Sequence, residues 1–319
     1  MSKFPVSRDS KVYVAGHRGM VGSAIHRKLK EGGFSTILTR TSAELDLRNR
    51  KLVFEFFESE KPEIVFLAAA KVGGILANDT YPADFLSDNL QIQVNVMDAA
   101  NKNDCDRLVF LGSSCIYPKF AHQPIPEEAL MTGHLESTND AYAIAKIAGI
   151  KQVQAIRRQY GRKWISVMPS NLYGPGDNYD AELSHVLPAL IRRYEDAKIS
   201  GSEEVTNWGS GEPRRELLYV DDLADASVFL LENFDSDQHI NIGTGVDHTI
   251  REISEVVAEE VGFSGKTLWD TAKPDGTPQK LLDISKARGL GWAPKTQLKK
   301  GIALAVEDYR KRIVSETKS

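Results

Sequence analysis

A glycine-rich turn near the amino terminus joins a short apolar run to a helical pattern, and this junction constrains the fold more than any other feature. Residues 11–15 read as a buried strand, and a helical pattern runs from residue 21 to about residue 30. The turn between them is Gly16-His17-Arg18-Gly19-Met20-Val21-Gly22. Glycines in such a turn let the backbone approach a pyrophosphate and let the helix pack tightly on the sheet. The spacing differs from the usual G-x-G-x-x-G, so by itself it matches a dinucleotide site only loosely.

Alternating strand and helix patterns continue through the first half of the chain. Further strand-like runs occur at residues 36–39, 63–67, 107–111 and 164–168. These runs lack a period of two, which is typical of strands buried on both faces. Alternation with helices indicates a parallel sheet covered by helices. The first half is therefore predicted to be an α/β domain with a Rossmann-type, doubly wound parallel sheet.

The second half is less regular and carries turn-rich segments. These lie at residues 208–213 and 273–278, and they resemble loops that border a ligand. Between them, residues 217–220 and 239–243 resemble strands that rejoin the first domain. We expect a smaller α/β lobe that binds substrate. The predicted boundaries are residues 1–175 plus about 215–250 for the first domain, and about 176–214 plus 251–319 for the lobe.

Composition excludes several classes of protein. Forty basic and 44 acidic residues leave a formal charge of −4, so no overall field favours nucleic acid or an anionic membrane. No apolar stretch approaches the ~20 residues that span a bilayer, and the amino terminus lacks a signal-peptide core. Cys105 and Cys115 are too few for a disulfide framework and have no metal-ligand spacing. We expect a cytoplasmic protein without a metal, a membrane or a nucleic-acid partner.

Tyr142 and Lys146 are four residues apart in a helical segment, so their side chains share one face. A nearby ammonium favours phenolate over phenol, and a group with a reference pKa of about 10 then exchanges protons closer to neutrality. The pair predicts proton-transfer chemistry. Taken alone, it also fits a surface helix that carries one aromatic residue.

A hydroxyl and a thiol follow the predicted strand at residues 107–111. Ligands of open α/β sheets bind at the carboxyl ends of the strands, where Ser113 and Cys115 lie. Ser113 is placed to donate to a carbonyl oxygen alongside Tyr142, and Cys115 becomes a base if its surroundings lower its pKa. Cys105 has no such position and is interpreted as a buried structural cysteine.

The end of the second strand distinguishes between the two nicotinamide cofactors. Sites that prefer NAD place an acidic residue there, whereas this chain has Thr39-Arg40-Thr41-Ser42. Arg40, together with Arg18 in the glycine turn, suits a 2′-phosphate because guanidinium groups bind phosphate in a bidentate manner. The pattern favours NADPH, and two solvated surface arginines are the alternative.

Taken together, the glycine turn, the serine-bearing strand end and Tyr142-x-x-x-Lys146 resemble the extended short-chain dehydrogenase/reductases, a family that modifies nucleotide sugars. The similarity spans nearly the whole chain. It is carried by residues 16–25, 68–75, 112–119, 142–151, 171–175, 184–190, 208–211 and 273–278. Within the family, these segments resemble enzymes that act on GDP-4-keto-6-deoxy-D-mannose.

The resemblance implies that one site inverts C3 and C5 of the keto sugar and then reduces C4 with hydride from NADPH, which gives GDP-L-fucose. Epimerisation requires a base on one face of the ring and an acid on the other. Carried over by position, Cys115 is the base and His185 is the acid. Tyr142 donates a proton to the C4 oxygen, Ser113 positions that oxygen, and Lys146 binds the nicotinamide ribose and tunes Tyr142.

The resemblance also implies binding residues and a homodimer. Residues 89–101 and 142–160 supply the helices of the implied dimer. The implied NADP(H) set adds Asp46, Leu47, Pro169, Asn171, Leu172 and His185 to the glycine turn, Arg40 and Lys146. The implied set for the GDP-sugar is Arg193, Trp208, Arg215 and Asp275, with Trp208 equally compatible with a core or interface role.

Two features leave room for other interpretations. The chain departs from the family pattern at Ser42 and Gln279, where related sequences often carry arginine, and at Leu183, where a polar amide is common. Alternatives are a 4-epimerase or 4,6-dehydratase of the same fold, or a non-catalytic dinucleotide sensor. Cys115 and His185 argue against the first, because a dehydratase typically has an Asp-Glu pair beside the strand-end hydroxyl. The intact Ser113, Tyr142 and Lys146 set argues against the second.

Overall fold

The structure is a computed structural model, and it describes residues 3–180, 184–273 and 275–316, with no side-chain description for 314–316. Leu183 and Pro274 lie outside the described residues. The described strands are β1 Val12–Ala15, β2 Ile37–Leu38, β3 Ile64–Leu67, β4 Arg107–Leu111, β5 Ile165–Pro169, β6 Asn171–Tyr173, β7 Glu204–Trp208, β8 Arg214–Tyr219, β9 Ile240–Ile242, β10 Asp247–Thr249, β11 Lys266–Asp270 and β12 Gln279–Lys280. The described helices are α1 Met20–Glu31, α2 Arg50–Glu60, α3 Ile75–Thr80, α4 Pro82–Lys102, α5 Asp140–Tyr160, α6 Val186–Ser200, α7 Val220–Asn233, α8 Ile250–Val261, α9 Ser285–Leu290 and α10 Leu298–Glu316.

A six-stranded parallel sheet forms the centre of the first domain, in the order β2-β1-β3-β4-β5-β9. The chain builds the sheet outward in both directions from β1, so the order reverses between β1 and β3. Ligands of such sheets bind at the carboxyl ends of the strands beside this reversal. The predicted doubly wound parallel sheet is confirmed, and β4 covers the same residues as the predicted run at 107–111.

The strands are largely apolar because helices cover both faces of the sheet. Successive side chains of a strand point to opposite faces. In β1, Tyr13 and Ala15 enter a core under α2, α4 and α5, whereas Val12 and Val14 enter a second core under α1 and α7. Both cores exclude water from the sheet, which leaves its carboxyl edge as the exposed functional edge.

A second lobe is built from a four-stranded sheet and a two-stranded sheet. In the first, β8 pairs with β6, β10 and β12, and in the second β7 pairs with β11. Helices α6, α8 and α10 enclose a third core around Tyr194, Val257 and Ile302. Residues 217–219 of the predicted strand lie in β8, and therefore in this lobe rather than in the first sheet, whereas Val220 begins α7. The chain returns to the first domain through α7, which packs on α1, and through β9, which pairs with β5.

Among the described helices, none is both long and apolar enough to cross a bilayer.

The close contact between α4 and α5 depends on Gly149. A Cβ at this position would lie 2.3 Å from Phe110 Cζ and 2.9 Å from Gln93 Oε1. Gly149→Ala should lower the free energy of unfolding by about 1–3 kcal/mol, because an extra methyl group strains a packed interior. Chemical denaturation measures this change. Gly289→Ala is the matched control, since Gly289 lies in α9 and a methyl group added there would have no other atom within 4 Å.

That control should be neutral or slightly stabilising, because alanine favours a helix over glycine by about 1 kcal/mol. Equal unfolding free energies for Gly149→Ala and the parent protein would show that the helices move apart to accommodate the methyl group without a loss of stability.

Candidate active site

The glycine turn wraps tightly over the carboxyl ends of β1 and β3. Gly16 has a φ of +85°, and a Cβ there would lie 2.8 Å from Ala69 Cα. A Cβ on Gly22 would lie 2.1 Å from the Gly16 carbonyl oxygen. No side chain caps the start of α1 at Gly19, and His17 Nδ1 is buried without a hydrogen-bond partner among the described residues. This turn fits a pyrophosphate, because backbone N–H groups at an uncapped helix start bind anions.

The end of β2 carries Arg40 in an ion pair. Its Nη2 lies 2.6 Å from Glu60 Oε1, its Nη1 donates to the Thr39 carbonyl oxygen at 2.8 Å, and its guanidinium lies over the Phe56 ring. Arg18 is exposed in the glycine turn. A 2′-phosphate at this position would compete with Glu60 for Arg40, so the role of Arg40 stays a prediction.

The remaining residues implied for the cofactor lie around the same sheet edge. Arg48 donates to the Asp46 carboxylate, and these hydrogen bonds hold the pKa of Asp46 below its usual range. The Leu47 carbonyl oxygen accepts from Asn95 Nδ2 at 3.0 Å. Pro169 ends β5, and Asn171 and Leu172 begin β6, so this segment crosses from the first sheet to the second lobe.

Tyr142 and Lys146 lie on one face of α5, as their spacing predicts. Lys146 Nζ donates to the Leu111 carbonyl oxygen at 2.9 Å and lies 5.7 Å from the centre of the Tyr142 ring. Burial lowers the pKa of Lys146 to about 8. Burial also raises the pKa of Tyr142, the nearby Cys115 thiol acts in the same direction, and a hydrogen bond with Ser113 opposes them.

The expectation that Lys146 brings the Tyr142 phenol towards neutrality is therefore wrong for this structure. Removal of the phenol from water raises its pKa, since burial disfavours the charged phenolate. Tyr142 stays protonated at neutral pH. A protonated phenol suits a group that donates a proton to a developing alkoxide.

Ser113 and Cys115 lie in the turn directly after β4. Ser113 precedes the short 3-10 helix Ser114–Ile116, and its Oγ accepts from the Cys115 N–H at 3.4 Å. The Cys115 side chain is buried, and burial raises its pKa, so the condition that its surroundings lower the pKa is not met. Lys280, the hydrogen bond with Ser113, and Lys146 each oppose that rise. Cys115 is thus a buried thiol flanked by two ammonium groups.

His185 lies on the second lobe, where it precedes the first residue of α6. Its side chain is exposed at the cleft, yet desolvation by the surrounding protein lowers its pKa. Ser113, Cys115, Tyr142 and Lys146 form one group, whereas no contact joins His185 to that group within the described part of the chain. The loop that carries the departure at Leu183 precedes His185 directly.

The residues implied for the GDP-sugar form a connected patch on the second lobe. Arg193 Nη1 donates to Asn207 Oδ1 at 2.7 Å, beside Trp208, which is 68% exposed. Asp275 accepts from the N–H and the Oγ of Ser210 at 2.9 and 2.7 Å. Arg215 donates to the Thr277 carbonyl oxygen at 2.6 Å. The hydrogen bonds from Ser210 are the main cause that lowers the pKa of Asp275, and the charge of Arg215 lowers it further.

Gln279, one of the departures from the family pattern, has a defined place beside this patch. Its Nε2 donates to Asp247 Oδ2 at 2.6 Å, so the amide binds the same carboxylate that forms an ion pair with Arg214. Ser42, the other described departure, is exposed. The substitution at Ser42 has no structural explanation.

Sequence reasoning missed Lys280. This residue lines a small cavity with Cys115, and burial lowers the pKa of its ammonium group. The turn-rich segment singled out from the sequence ends at residue 278, two residues earlier. The available signal was a lysine directly after that segment, in the short run Gln279-Lys280-Leu281-Leu282.

The chain is similar to known proteins over nearly its whole length. A family model described as the NAD dependent epimerase/dehydratase family matches residues 12–243. GDP-L-fucose synthase 1 of Arabidopsis thaliana is 59% identical over 96% of this chain and 95% of that protein. GDP-L-fucose synthase of Escherichia coli strain K12 is 52% identical over 92% of this chain and 94% of that protein.

A solved structure shares the whole architecture. The GDP-mannoheptose C4 reductase MlghC from Campylobacter jejuni, determined with NADP bound, is 39% identical, with a TM-score of 0.89. The match covers 96% of this chain and 100% of that one. Because the family model covers most of the chain and full-length relatives exceed half identity, the chain belongs to the NAD dependent epimerase/dehydratase family and, within it, to the GDP-L-fucose synthase branch.

Proposed function

We propose that this protein converts GDP-4-keto-6-deoxy-D-mannose and NADPH to GDP-L-fucose and NADP⁺, with epimerisation at C3 and C5 before reduction at C4. The observation that carries the proposal is the thiol of Cys115 beside Ser113, Tyr142 and Lys146. A simple reductase needs only the last three groups. A thiol in the same turn adds the base that epimerisation requires.

Epimerisation uses the acidity of carbons next to the C4 ketone. The Cys115 thiolate removes the proton from C3 or C5, and the electron pair of the broken C–H bond moves to the carbonyl oxygen. Ser113 and Tyr142 donate hydrogen bonds to that oxygen and stabilise the enolate. His185 returns a proton to the opposite face of the carbon. The lowered pKa of His185 makes it a weak base and, once protonated, a ready proton donor.

Reduction uses the same oxygen. NADPH, when bound, supplies the hydride that adds to C4. Tyr142 releases its phenolic proton to the C4 oxygen, which Ser113 holds in place, and the Lys146 ammonium stabilises the resulting phenolate. Lys146 also donates a hydrogen bond to the carbonyl oxygen of Leu111, the last residue of β4. This bond fixes the distance between α5 and the strand end.

Binding is divided between the lobes, with the boundaries at residues 1–175 plus about 215–250 and about 176–214 plus 251–319. The turn at 16–22 holds the pyrophosphate of NADPH, and Arg18 and Arg40 hold its 2′-phosphate. Arg193 and Arg215 pair with the diphosphate of the GDP-sugar, and Trp208 covers its apolar part. Asp275 supports this patch through Ser210. The separate core of the second lobe supports a division into two lobes, but the pairing of β6, β8 and β10 places these three strands in the second lobe and outside the first domain.

We further propose a cytoplasmic homodimer. Helices α4 and α5 pack side by side and expose Val94 and Ile144, so a second copy of the pair would complete a four-helix bundle. Cys105 and Cys115 are both free thiols, which suits a reducing compartment.

The test is incubation of the protein with GDP-4-keto-6-deoxy-D-mannose and NADPH. We expect loss of the nicotinamide absorbance in step with GDP-L-fucose, identified by NMR. An unaltered absorbance with an isomerised or dehydrated sugar would replace this proposal with a redox-neutral activity of the same fold. GDP-mannose, which has no ketone, is the control substrate and should leave NADPH unchanged.

A further inference from the structure

Lys280 and Cys115 belong to different lobes but line the same small cavity. Lys280 is the last residue of β12, which runs parallel to β8 with Lys280 opposite Arg215. Cys115 lies in the turn after β4, in the first domain. Both residues line one small cavity, together with Tyr117, Gln123, Glu136 and Thr277. Residues that are 165 positions apart in the chain therefore meet at the thiol.

The backbone next to Lys280 is firmly held. Gln123 Oε1 accepts from the Leu281 N–H at 2.8 Å, and the Ile125 N–H donates to the Leu281 carbonyl oxygen at 2.8 Å. The buried Glu216 carboxylate accepts from the Leu282 N–H at 2.9 Å. These bonds tie the residues after Lys280 to both lobes, so the side chain starts from a fixed point beside the cavity.

Several charged groups act on this pair. Cys115 is influenced by Lys280, Lys146 and the hydrogen bond with Ser113, and it lies close to Tyr142. Lys280 is influenced by Cys115, by the like charge of Arg215 and by the carboxylate of Glu136. One oxygen of Glu136 accepts from Lys119 and the other accepts from the Thr277 hydroxyl, each at 3.1 Å.

A thiolate and an ammonium stabilise each other in such a site. Burial raises the pKa of Cys115 and lowers the pKa of Lys280, because each charge alone is costly away from water. Among the groups that oppose the rise at Cys115, Lys280 has the largest effect, ahead of Ser113 and Lys146. Lys146 also donates a hydrogen bond to the Leu111 carbonyl oxygen, whereas Lys280 belongs to the opposite lobe.

We propose that Lys280 is a positioning residue that stabilises the thiolate form of Cys115 and so supports its action as the base for epimerisation. The reaction that this role serves is the one given by the proposed function, on which the role therefore rests. The effect of Lys280 on the ionisation of the thiol does not depend on the proposed function. The proton that Cys115 loses on ionisation goes to solvent. With substrate, the thiolate forms an S–H bond as the C–H bond breaks, and the electron pair moves to the carbonyl oxygen.

The experiment measures the ionisation of Cys115 in the protein without substrate. A Cys105→Ser background leaves Cys115 as the single thiol, and its alkylation by iodoacetamide is followed by mass spectrometry across a pH series. Lys280→Met should raise the pH of half-maximal alkylation rate by about one unit or more, since an opposite charge nearby shifts a pKa by about 1–3 units. Lys280→Arg keeps the charge and should stay near the parent value.

Lys299→Met is the matched control, because Lys299 is exposed on α10 and pairs with Glu259. A half-maximal pH that is the same in Lys280→Met and the parent overturns the proposal. So does a midpoint for Lys280→Arg that rises as far as that of Lys280→Met, because charge would then not be the cause.

Solvent-deuterium exchange separates this proposal from the proposed function. In Lys280→Met, exchange at C3 and C5 should require higher pH, while hydride transfer to an already epimerised ketone keeps its parent rate. Equal slowing of both steps contradicts a role through Cys115. If the parent protein consumes no NADPH with this substrate, the proposed function fails, whereas the alkylation result still decides the role of Lys280.

Discussion

Tyr142→Phe should reduce the rate of NADPH-dependent reduction by about 10²–10⁴-fold, the usual contribution of a positioned proton donor. The change removes one hydroxyl from a half-buried ring that packs edge-on against Phe85, with ring centres 6.3 Å apart. The ring itself remains, so the fold should be retained. Stopped-flow loss of nicotinamide absorbance with an already epimerised ketone measures the reductive step alone.

Exchange of solvent deuterium into C3 and C5 should fall less than reduction in the same variant. Ser113 still donates to the enolate oxygen, so epimerisation loses one of two donors. Tyr160→Phe is the control, because Tyr160 lies at the end of the same helix and is 53% exposed. Reduction at the parent rate in Tyr142→Phe would remove this phenol from the reaction.

The direction of the pKa change at Tyr142 alters what this experiment is expected to report. Spacing alone suggested a phenolate prepared by Lys146, whereas burial keeps the phenol protonated. A one-dimensional pattern identifies which groups are neighbours but contains no measure of desolvation. The reductive step should therefore show no loss of rate at neutral pH from ionisation of Tyr142 before substrate binds.

Local patterns predicted the first sheet well because its strands are largely apolar and most of them are buried on both faces. The run at 107–111 coincides with β4, and the glycine segment at 16–22 spans the turn after β1 and the first residues of α1. Apolar runs bounded by glycines are local features of the sequence. They can be recognised without knowledge of the tertiary structure.

Which strands pair with each other was harder to predict from the sequence. The run at 217–220 was expected to rejoin the first sheet, but β8 pairs with β6, β10 and β12 in the second lobe. An apolar run indicates burial and does not say against which strand it pairs. Lys280 was missed for the same reason, since its meeting with Cys115 depends on the pairing of β12 with β8.

The site residues proposed from the family resemblance fall into two groups. Ser113, Cys115, Tyr142 and Lys146 lie together because β4 and α5 bring them to one sheet edge. His185 belongs to the other lobe, and its approach to the sugar depends on the cleft between the lobes. The acid and the base of the proposed epimerisation thus come from different lobes, which suits proton transfer on opposite faces of one ring.

Cys115→Ser should slow exchange at C3 and C5 by about 10²–10⁴-fold, while reduction of an already epimerised ketone changes much less. A serine hydroxyl is close in size to the thiol but far less acidic, so it leaves the buried turn intact and removes the base. NMR follows deuterium incorporation, and nicotinamide absorbance follows reduction. The two rates are compared in the same preparation.

Cys105→Ser is the matched control for this comparison. Cys105 is fully buried, and its sulfur lies 3.3 and 3.2 Å from the carbonyl oxygens of Glu63 and Arg107, which a hydroxyl can also reach. Both rates should therefore stay near the parent values. Parallel losses of exchange and reduction in Cys115→Ser would mean that the thiol supports the whole site rather than one step. A selective loss of exchange assigns proton removal to Cys115, because only that step needs a base on the sulfur side of the sugar.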